Sequence, residues 1–413
     1  MNKIRYYFIK ISSELTWKKM ANGLFVTGII LTFMSYQNSF GALAFLCLFG
    51  ITGLVLFKRK MIYLDFYFFL EALFFVYCAG QILFRIPQYN DKACSRLVAL
   101  VSCNLFELGI YNYYRIRDDF EHLGKTIVKS IVIALAAIII MNLNLVQGVR
   151  LIRGIKIAGK SFGNVNVAVF GWTAGLGLLL CCILGNKMKQ RQFYACYAFF
   201  SFAVIISGTR HALPLIVVAF LLTRIMKSGN GERSLKNYLR DVLYTVILGT
   251  ALVFLVLRVP YLYQEIGSRL EEVFLYLFTG KSYGGSLTDR MELLHSGIGA
   301  FLESPVWGWG LDNFSDLFDQ GRYDAHNNYL EIAASGGIIG TGIYFSKYVY
   351  LILRLIKCES RTGGQEKKRY LCMILAFLAC AVLEFWNITY YSRKTFLFYI
   401  LILAYVGRGQ RGK

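Results

Sequence analysis

Residues 305–345 read PVWGWGLDNFSDLFDQGRYDAHNNYLEIAASGGIIGTGIYF, from Pro305 to Phe345. The stretch opens on a glycine–tryptophan turn and passes through mixed Asp, Phe and Leu. It then reaches Asp324-Ala325-His326-Asn327-Asn328 and runs directly into a long apolar helix. Polar groups gathered at the lip of a hydrocarbon-compatible helix mark a place where chemistry on a membrane-held molecule can meet water. Most of the remaining chain consists of apolar runs of similar length, so this lip organises everything around it.

Over 413 residues, hydrophobic side chains make up 56% and charged ones only 17%. The charges fall in short clusters between apolar runs of membrane-spanning length, which excludes an ordinary soluble enzyme. The runs do not alternate as barrel strands do, so the expected fold is all-α, a polytopic transmembrane helical bundle. The net charge of +21 raises the question of nucleic acid. The basic residues are spread loop by loop and form no stripe on a soluble domain, so no nucleic-acid partner is expected. Ten Cys include no CxxC pair, and Cys47, Cys78, Cys103, Cys181, Cys182, Cys372 and Cys380 lie inside apolar runs as small hydrophobes. No metal site is expected. Ala42-Leu43-Ala44 has the form of a signal-peptidase site but continues into more apolar sequence, which reads as an uncleaved first helix.

Apolar runs bounded by charges give about 12 spans: 20–36, 40–57, 61–84, 93–114, 125–146, 164–184, 192–207, 211–226, 239–257, 327–356, 370–387 and 395–406. The seventh and twelfth are short, which suggests tilted or partly re-entrant segments. With the N-terminus in the cytoplasm, the inner segments hold 28 Lys and Arg and the outer ones 15. The positive-inside rule therefore places both termini in the cytoplasm. The longest polar segment, 258–326, becomes a large extracytoplasmic loop containing short helices, inserted between spans 9 and 10 of a single membrane domain covering 1–413.

Several residues stand out. Arg150, Arg153, Lys156 and Lys160 recur every three or four positions in an outer loop without a nearby acid, which calls for an anion. Either a lipid head group or a substrate diphosphate fits. Arg210 lies in Ser207-Gly208-Thr209-Arg210-His211, where Gly208 and Pro214 loosen a hinge between two spans. A guanidinium at that depth needs a partner or must reach the outer head groups. His211 suits a proton carrier or an interfacial polar tip. Arg290 lies in Ser286-Leu287-Thr288-Asp289-Arg290-Met291-Glu292, at the start of a helix that Thr288 or Ser286 can cap, with Asp289 and Glu292 as ion-pair candidates.

His326 and Asn327 stand where the outer loop becomes the tenth span. Imidazole is the side chain whose unperturbed pKa lies nearest neutrality, which suits a general base for a sugar hydroxyl. Asp324 could orient it and Glu331 follows one turn on; the plainer reading is an interfacial or capping His. Ser335, Gly336, Gly337, Gly340 and Gly342 leave one helix face bare for close packing. Asp65, Glu71, Glu107 and Glu384 fall within spans and are expected to face the bundle interior or a water-filled space.

Taken in order, these motifs resemble the O-antigen ligase and polymerase superfamily of Wzy/WaaL-type membrane glycosyltransferases. The resemblance rests on Ser207-Gly208-Thr209-Arg210, on Arg290 followed by Gly308-Trp309-Gly310 and Phe314, on His326-Asn327-Asn328-Tyr329-Leu330-Glu331, and on Gly336-Gly337-Ile338-Ile339-Gly340. It covers roughly 160–350. Gly163-Asn164-Val165-Asn166 stands where such proteins often carry an Asn-Pro-Asn-like helix start, with Val165 in place of the proline.

The resemblance implies a cofactor-free, metal-independent transferase in the cytoplasmic membrane of a bacterium, acting on the outer face. The donor is a polyprenyl-diphosphate-linked glycan, with undecaprenyl diphosphate as carrier, and the acceptor a second glycan. Arg210, Arg290 and His326 are then the catalytic residues, with Arg150, Arg153, Lys160, Asn166, Asn327 and Glu331 in substrate binding. A flippase and a chain-length regulator of the same pathway are further partners. The product is a capsule or O-antigen type surface polysaccharide, assembled repeat by repeat with inversion at the anomeric carbon. Two alternatives stay open: a ligase that moves finished glycan to a lipid or protein acceptor, and a lipid-linked oligosaccharide flippase. A flippase is expected to show internal repeats, which this sequence lacks, and to need no outer loop of this size.

Overall fold

The computed structural model describes residues 62–142, 167–228, 235–279, 286–318 and 324–408, apart from 85, 87, 118–119, 261–262 and 391, with scattered helical positions between 23 and 50. Among the described residues the chain is helical and contains no strand. Thirteen helices are labelled here in chain order: α1 (Phe66–Leu83), α2 (Asn90–Arg117), α3 (Phe120–Asn142), α4 (Val167–Ile183), α5 (Gln190–Ile206), α6 (Pro214–Lys227) and α7 (Leu235–Arg258). They continue with α8 (Ser268–Thr279), α9 (Ser286–Glu303), α10 (Phe314–Phe318), α11 (Asn328–Arg361), α12 (Gly364–Leu383) and α13 (Arg393–Arg408).

Ten of the expected spans, 61–84 through 395–406, each coincide with a helix; the first two lie largely outside the described residues. Six helices are long and apolar enough to cross a bilayer: α1, α2, α3, α7, α11 and α12. Of the other four, α4 and α13 are explained by burial. Residues 395–407 of α13 and 170–184 around α4 are enclosed on every side. A helix apolar all round is one surrounded by protein, and it need not match the thickness of the lipid by itself. The short twelfth span is thus a core helix packed against α2, α3 and α11. In contrast, α7 touches the bundle mainly through α6 and has only 11% of its apolar window buried. Its exposed Leu239, Leu243, Val246, Ile247 and Phe254 suit contact with lipid. The segment 258–326 carries α8, α9 and α10.

The glycine-rich stretch departs from expectation. It does not simply lighten one face of a continuous helix, because α11 breaks within it. Gly337 has φ 58° and ψ −163°, a conformation open to glycine and strained for other residues. Backbone groups freed by the break are taken up by the glycine–tryptophan turn. Trp309 and Gly310 donate their amides to the carbonyls of Ala334 and Ser335, both at 2.8 Å, and Ile338 N–H donates to the Pro305 carbonyl at 2.8 Å. Two side chains of α1 complete the clasp. Tyr77 donates to the Trp307 carbonyl at 2.9 Å and the Gly336 carbonyl at 2.7 Å, while Gln81 donates to Trp307 at 2.6 Å and Ser335 at 3.0 Å. A Cβ on Gly308 would stand 2.4 Å from the Ser335 oxygen, so the close backbone approach requires glycine.

The expected interior placement of the acids holds. Glu71, Glu107 and Glu384 are buried, and Asp65 caps α1 by accepting from Tyr67 N–H at 3.2 Å.

Candidate functional site

Three pieces of chain carry the residues singled out above. The first is the connection between α5 and α6. α5 stops at Ser207, whose hydroxyl donates to the Val204 carbonyl at 2.6 Å and accepts the Thr209 amide at 3.2 Å. Gly208 turns the chain at φ 62°, and Pro214 opens α6 at a first-turn position where its missing N–H costs nothing. The span expected from 211 therefore begins at Pro214, leaving Arg210 and His211 in the connection. Gly171 of α4 lets the connection sit close: a Cβ there would lie 2.6 Å from both the Ser207 and Thr209 hydroxyl oxygens.

His211 shows which charges meet here. Its ring lies 6.0 Å from the Trp172 ring, centroid to centroid, and Trp172 is itself held by its indole N–H on the Thr395 hydroxyl at 3.1 Å. The Nε2 atom is enclosed although the residue as a whole is half-buried. Burial, and then the positive charge of Arg290, lower the imidazole to about 4, with Arg210 acting in the same sense and a hydrogen bond to the Ala168 backbone opposing. Arg210 and Arg290 stand 80 positions apart in sequence, yet both act on one side chain.

The second piece is α9, which carries Arg290 in its first turns and packs on α11. Gly297 permits the contact, since a Cβ there would reach 3.2 Å from the Leu330 side chain. The Trp309 indole N–H donates to the Ala300 carbonyl at 2.8 Å. Leu293, Ala300, Phe314, Ala325 and Ala334 form a small core of their own, joined by Trp309, Phe318 and Leu330. Leu293 is one turn beyond Arg290, and Ala325 immediately precedes His326. This core therefore fixes the Arg290 helix against the His326 turn.

The third piece is that turn. His326 is exposed and adopts φ 50°, the left-handed region that an L side chain rarely occupies. Such strain is maintained only where the surroundings impose it, and it gathers at functional positions. Here the surroundings are explicit. Asn327 caps α11 by accepting from the amides of Tyr329 at 2.9 Å and Leu330 at 3.2 Å. Glu331 is buried, and its carboxylate accepts the Ala325 amide at 3.1 Å. Asn328, fully buried, donates to Glu384 at 3.0 Å and accepts the amides of Thr389 at 3.1 Å and Tyr390 at 2.9 Å. As placed, Asn327 and Glu331 hold the turn from within, and His326 is the member of the motif presented to solvent.

Residues 195–345 match the family model described as O-Antigen ligase. Over that segment the match supports the O-antigen ligase and polymerase superfamily. The match takes in Arg210, Arg290 and His326 together with the 305–310 turn and the break in α11. No curated protein matches the chain.

The family match and the geometry bear unequally on the residues singled out from sequence. Arg210 and Arg290 are brought into one electrostatic neighbourhood, and His326 is tied to the Arg290 helix through a shared core. Arg150, Arg153, Lys160 and Asn166 lie outside the described residues. Sequence reading missed the supports. Arg96 of α2 makes a two-pronged pair with Asp312, at 2.7 and 2.8 Å, and Asn313 accepts the Tyr89 amide at 2.7 Å. Asp312 is the other non-glycine residue with positive φ, at 60°. Together these contacts moor the loop before α10 to the start of α2. No local motif announces them, because each joins positions more than 200 apart.

Proposed function

We propose that this protein polymerises polyprenyl-diphosphate-linked oligosaccharide repeat units on the outer face of the cytoplasmic membrane. The observation that carries the reading is the match of residues 195–345, which take in Arg210, Arg290 and His326, to the O-antigen ligase family; the positive charges of both arginines also act on His211. Two guanidiniums can grip a diphosphate by paired hydrogen bonds and neutralise the charge that grows as it leaves. His326, exposed at the lip of α11, is the base that takes the proton of the attacking sugar hydroxyl. Attack opposite the departing diphosphate inverts the anomeric carbon. The Arg150–Lys160 loop supplies further cations for the lipid-linked donor.

The experiment is transfer by the purified protein from a lipid-linked repeat-unit donor, read as glycan length on a gel. A ladder of growing chains on the polyprenyl carrier supports polymerisation. One donor-sized addition to a lipid or protein acceptor supports the ligase reading. Broken helices are expected of a transporter, but the break in α11 is filled by the chain's own 305–310 turn.

A further inference from the structure

Below the clasp, α1, α2 and α11 enclose a second polar cluster that the transfer reaction does not use. Lys347 donates to Glu71 at 2.9 Å, both being almost fully buried. The Tyr67 hydroxyl donates to the same carboxylate at 3.1 Å, and Asn104 donates to its other oxygen. The ammonium also lies 4.1 Å from the Tyr344 ring centroid. Glu71 is therefore fully engaged.

Glu107 is different. It is 1% exposed, and both carboxylate oxygens are buried without a hydrogen-bond partner. It lines a small cavity together with Glu71, Asn104, Tyr344 and Lys347. The charged groups that act on it are Glu71, across from it on α1, and Lys347 on α11. Tyr67, Tyr344 and Tyr390 are the other titratable groups around the cluster, and α13 contributes only the apolar Phe396. Two carboxylates thus face one ammonium in a region closed to bulk water. An isolated carboxylate there is strongly disfavoured, and acids inside a membrane are retained where they bind or relay something.

We propose that Glu107, with Glu71 and Lys347, forms a membrane-embedded binding site for one small monovalent cation, H⁺ or Na⁺. Either ion brings the cluster to neutrality. The cavity beside Glu107 has room for about one water-sized particle, which suits a bare proton or a partly dehydrated sodium ion. The site joins α1, which carries Tyr77 and Gln81 of the clasp, to α11, whose outer end carries His326. Occupancy therefore bears on the two helices that frame the outer site. The proposal does not depend on which glycan is transferred.

The test uses the full-length protein in lipid nanodiscs, and its two arms separate the ions. In the sodium arm, thermal unfolding is followed in NaCl and in choline chloride at equal ionic strength. Sodium binding raises the midpoint in NaCl, and Glu107→Gln abolishes the difference. In the proton arm, infrared spectroscopy at neutral pH looks for the carbonyl stretch of a protonated carboxylic acid. Proton binding gives such a band in the wild type, lost in Glu107→Gln, while the unfolding midpoint stays near the wild-type value because the amide mimics the neutral acid. If Glu107→Gln cannot be purified, Glu107→Asp replaces it: a shifted band, or a changed sodium response, assigns the ion to this position. A wild type with no sodium response and no protonated-acid band overturns the proposal. So does a band or sodium response that persists unchanged in the Glu107 variant.

Discussion

Gln81 donates its side-chain amide to the Trp307 carbonyl at 2.6 Å, linking α1 to the glycine–tryptophan turn across 226 positions of sequence. The same amide reaches the Ser335 carbonyl, so one side chain holds both the turn and the upper half of the broken helix. Position 81 is one place where α1 and the candidate site are joined.

Replacing Gln81 by Leu removes both hydrogen bonds, while the Ser335 carbonyl keeps the Gly310 amide and the Trp307 carbonyl keeps the Tyr77 hydroxyl. The expected loss is about 1–3 kcal/mol of stability, measured by thermal or denaturant unfolding in detergent. Transfer activity should fall by more than the folded fraction accounts for, since the Arg290 helix and the His326 turn both hang from this clasp. A variant with wild-type activity per folded molecule shows that the clasp does not position the site.

Gly337→Ala addresses the break itself. An added Cβ would stand 2.3 Å from the Val306 oxygen, with φ fixed at 58°. Backbone strain alone costs about 1–3 kcal/mol, and the collision forces the 305–310 turn off the helix. Gly342→Ala is the control, because a Cβ there meets nothing within 4 Å. The expected outcome is loss of folded protein for Gly337→Ala and near-normal yield for Gly342→Ala, read by size-exclusion chromatography after solubilisation.

Comparison of these two glycines shows what sequence could and could not convey. Apolar periodicity located ten of the helices because hydrocarbon-length runs between charge clusters have few alternatives. Small residues at 335–342 look alike in sequence whether they ease packing or permit a break. Only Gly337 takes a positive φ, and that is set by a turn 30 residues upstream. Likewise, the burial that turns α13 into a core helix comes from its neighbours and leaves no mark in its own apolar sequence. At the site, Arg210, Arg290 and His326 were legible as polar outliers at helix ends. Arg96 and Gln81 were not, because their partners lie on distant elements.

The arginines give a third prediction. Arg210→Lys and Arg290→Lys keep the charge but lose the planar fork that grips a diphosphate at two points. Each should lose most transfer activity while protein abundance barely changes, as judged by immunoblot of membranes beside the chain-extension assay. Full activity in either variant shows that the position needs only a positive charge, or none.

Orientation can be checked independently of chemistry. Single-cysteine variants at Ser282 and Gln320, made in a background lacking reactive native cysteines, should react with an impermeant maleimide added outside intact spheroplasts. Variants at Lys58 and Gly364 should react only after permeabilisation. Labelling of position 320 from the cytoplasmic side alone would reverse the topology and remove the outer site with it.

The last prediction concerns His326, whose left-handed backbone and exposure single it out within its turn. If its imidazole accepts the hydroxyl proton, His326→Ala should lower the transfer rate by roughly 10²- to 10⁴-fold while donor binding is largely kept. His326→Gln retains a polar side chain at the same place without the basicity, so it separates orientation from proton transfer. If His326 is the base, the wild-type rate should rise with pH, tested across about pH 5 to 8. His211 does not confuse that profile. Its burial, then the Arg290 charge, with Arg210 acting in the same sense, lower it to about 4, so it is already neutral through this range. A rise in rate that survives in His326→Gln must therefore come from a third group. Should the Gln variant extend chains at the wild-type rate at every pH, His326 only shapes the start of α11, and the chemistry rests on the two arginines.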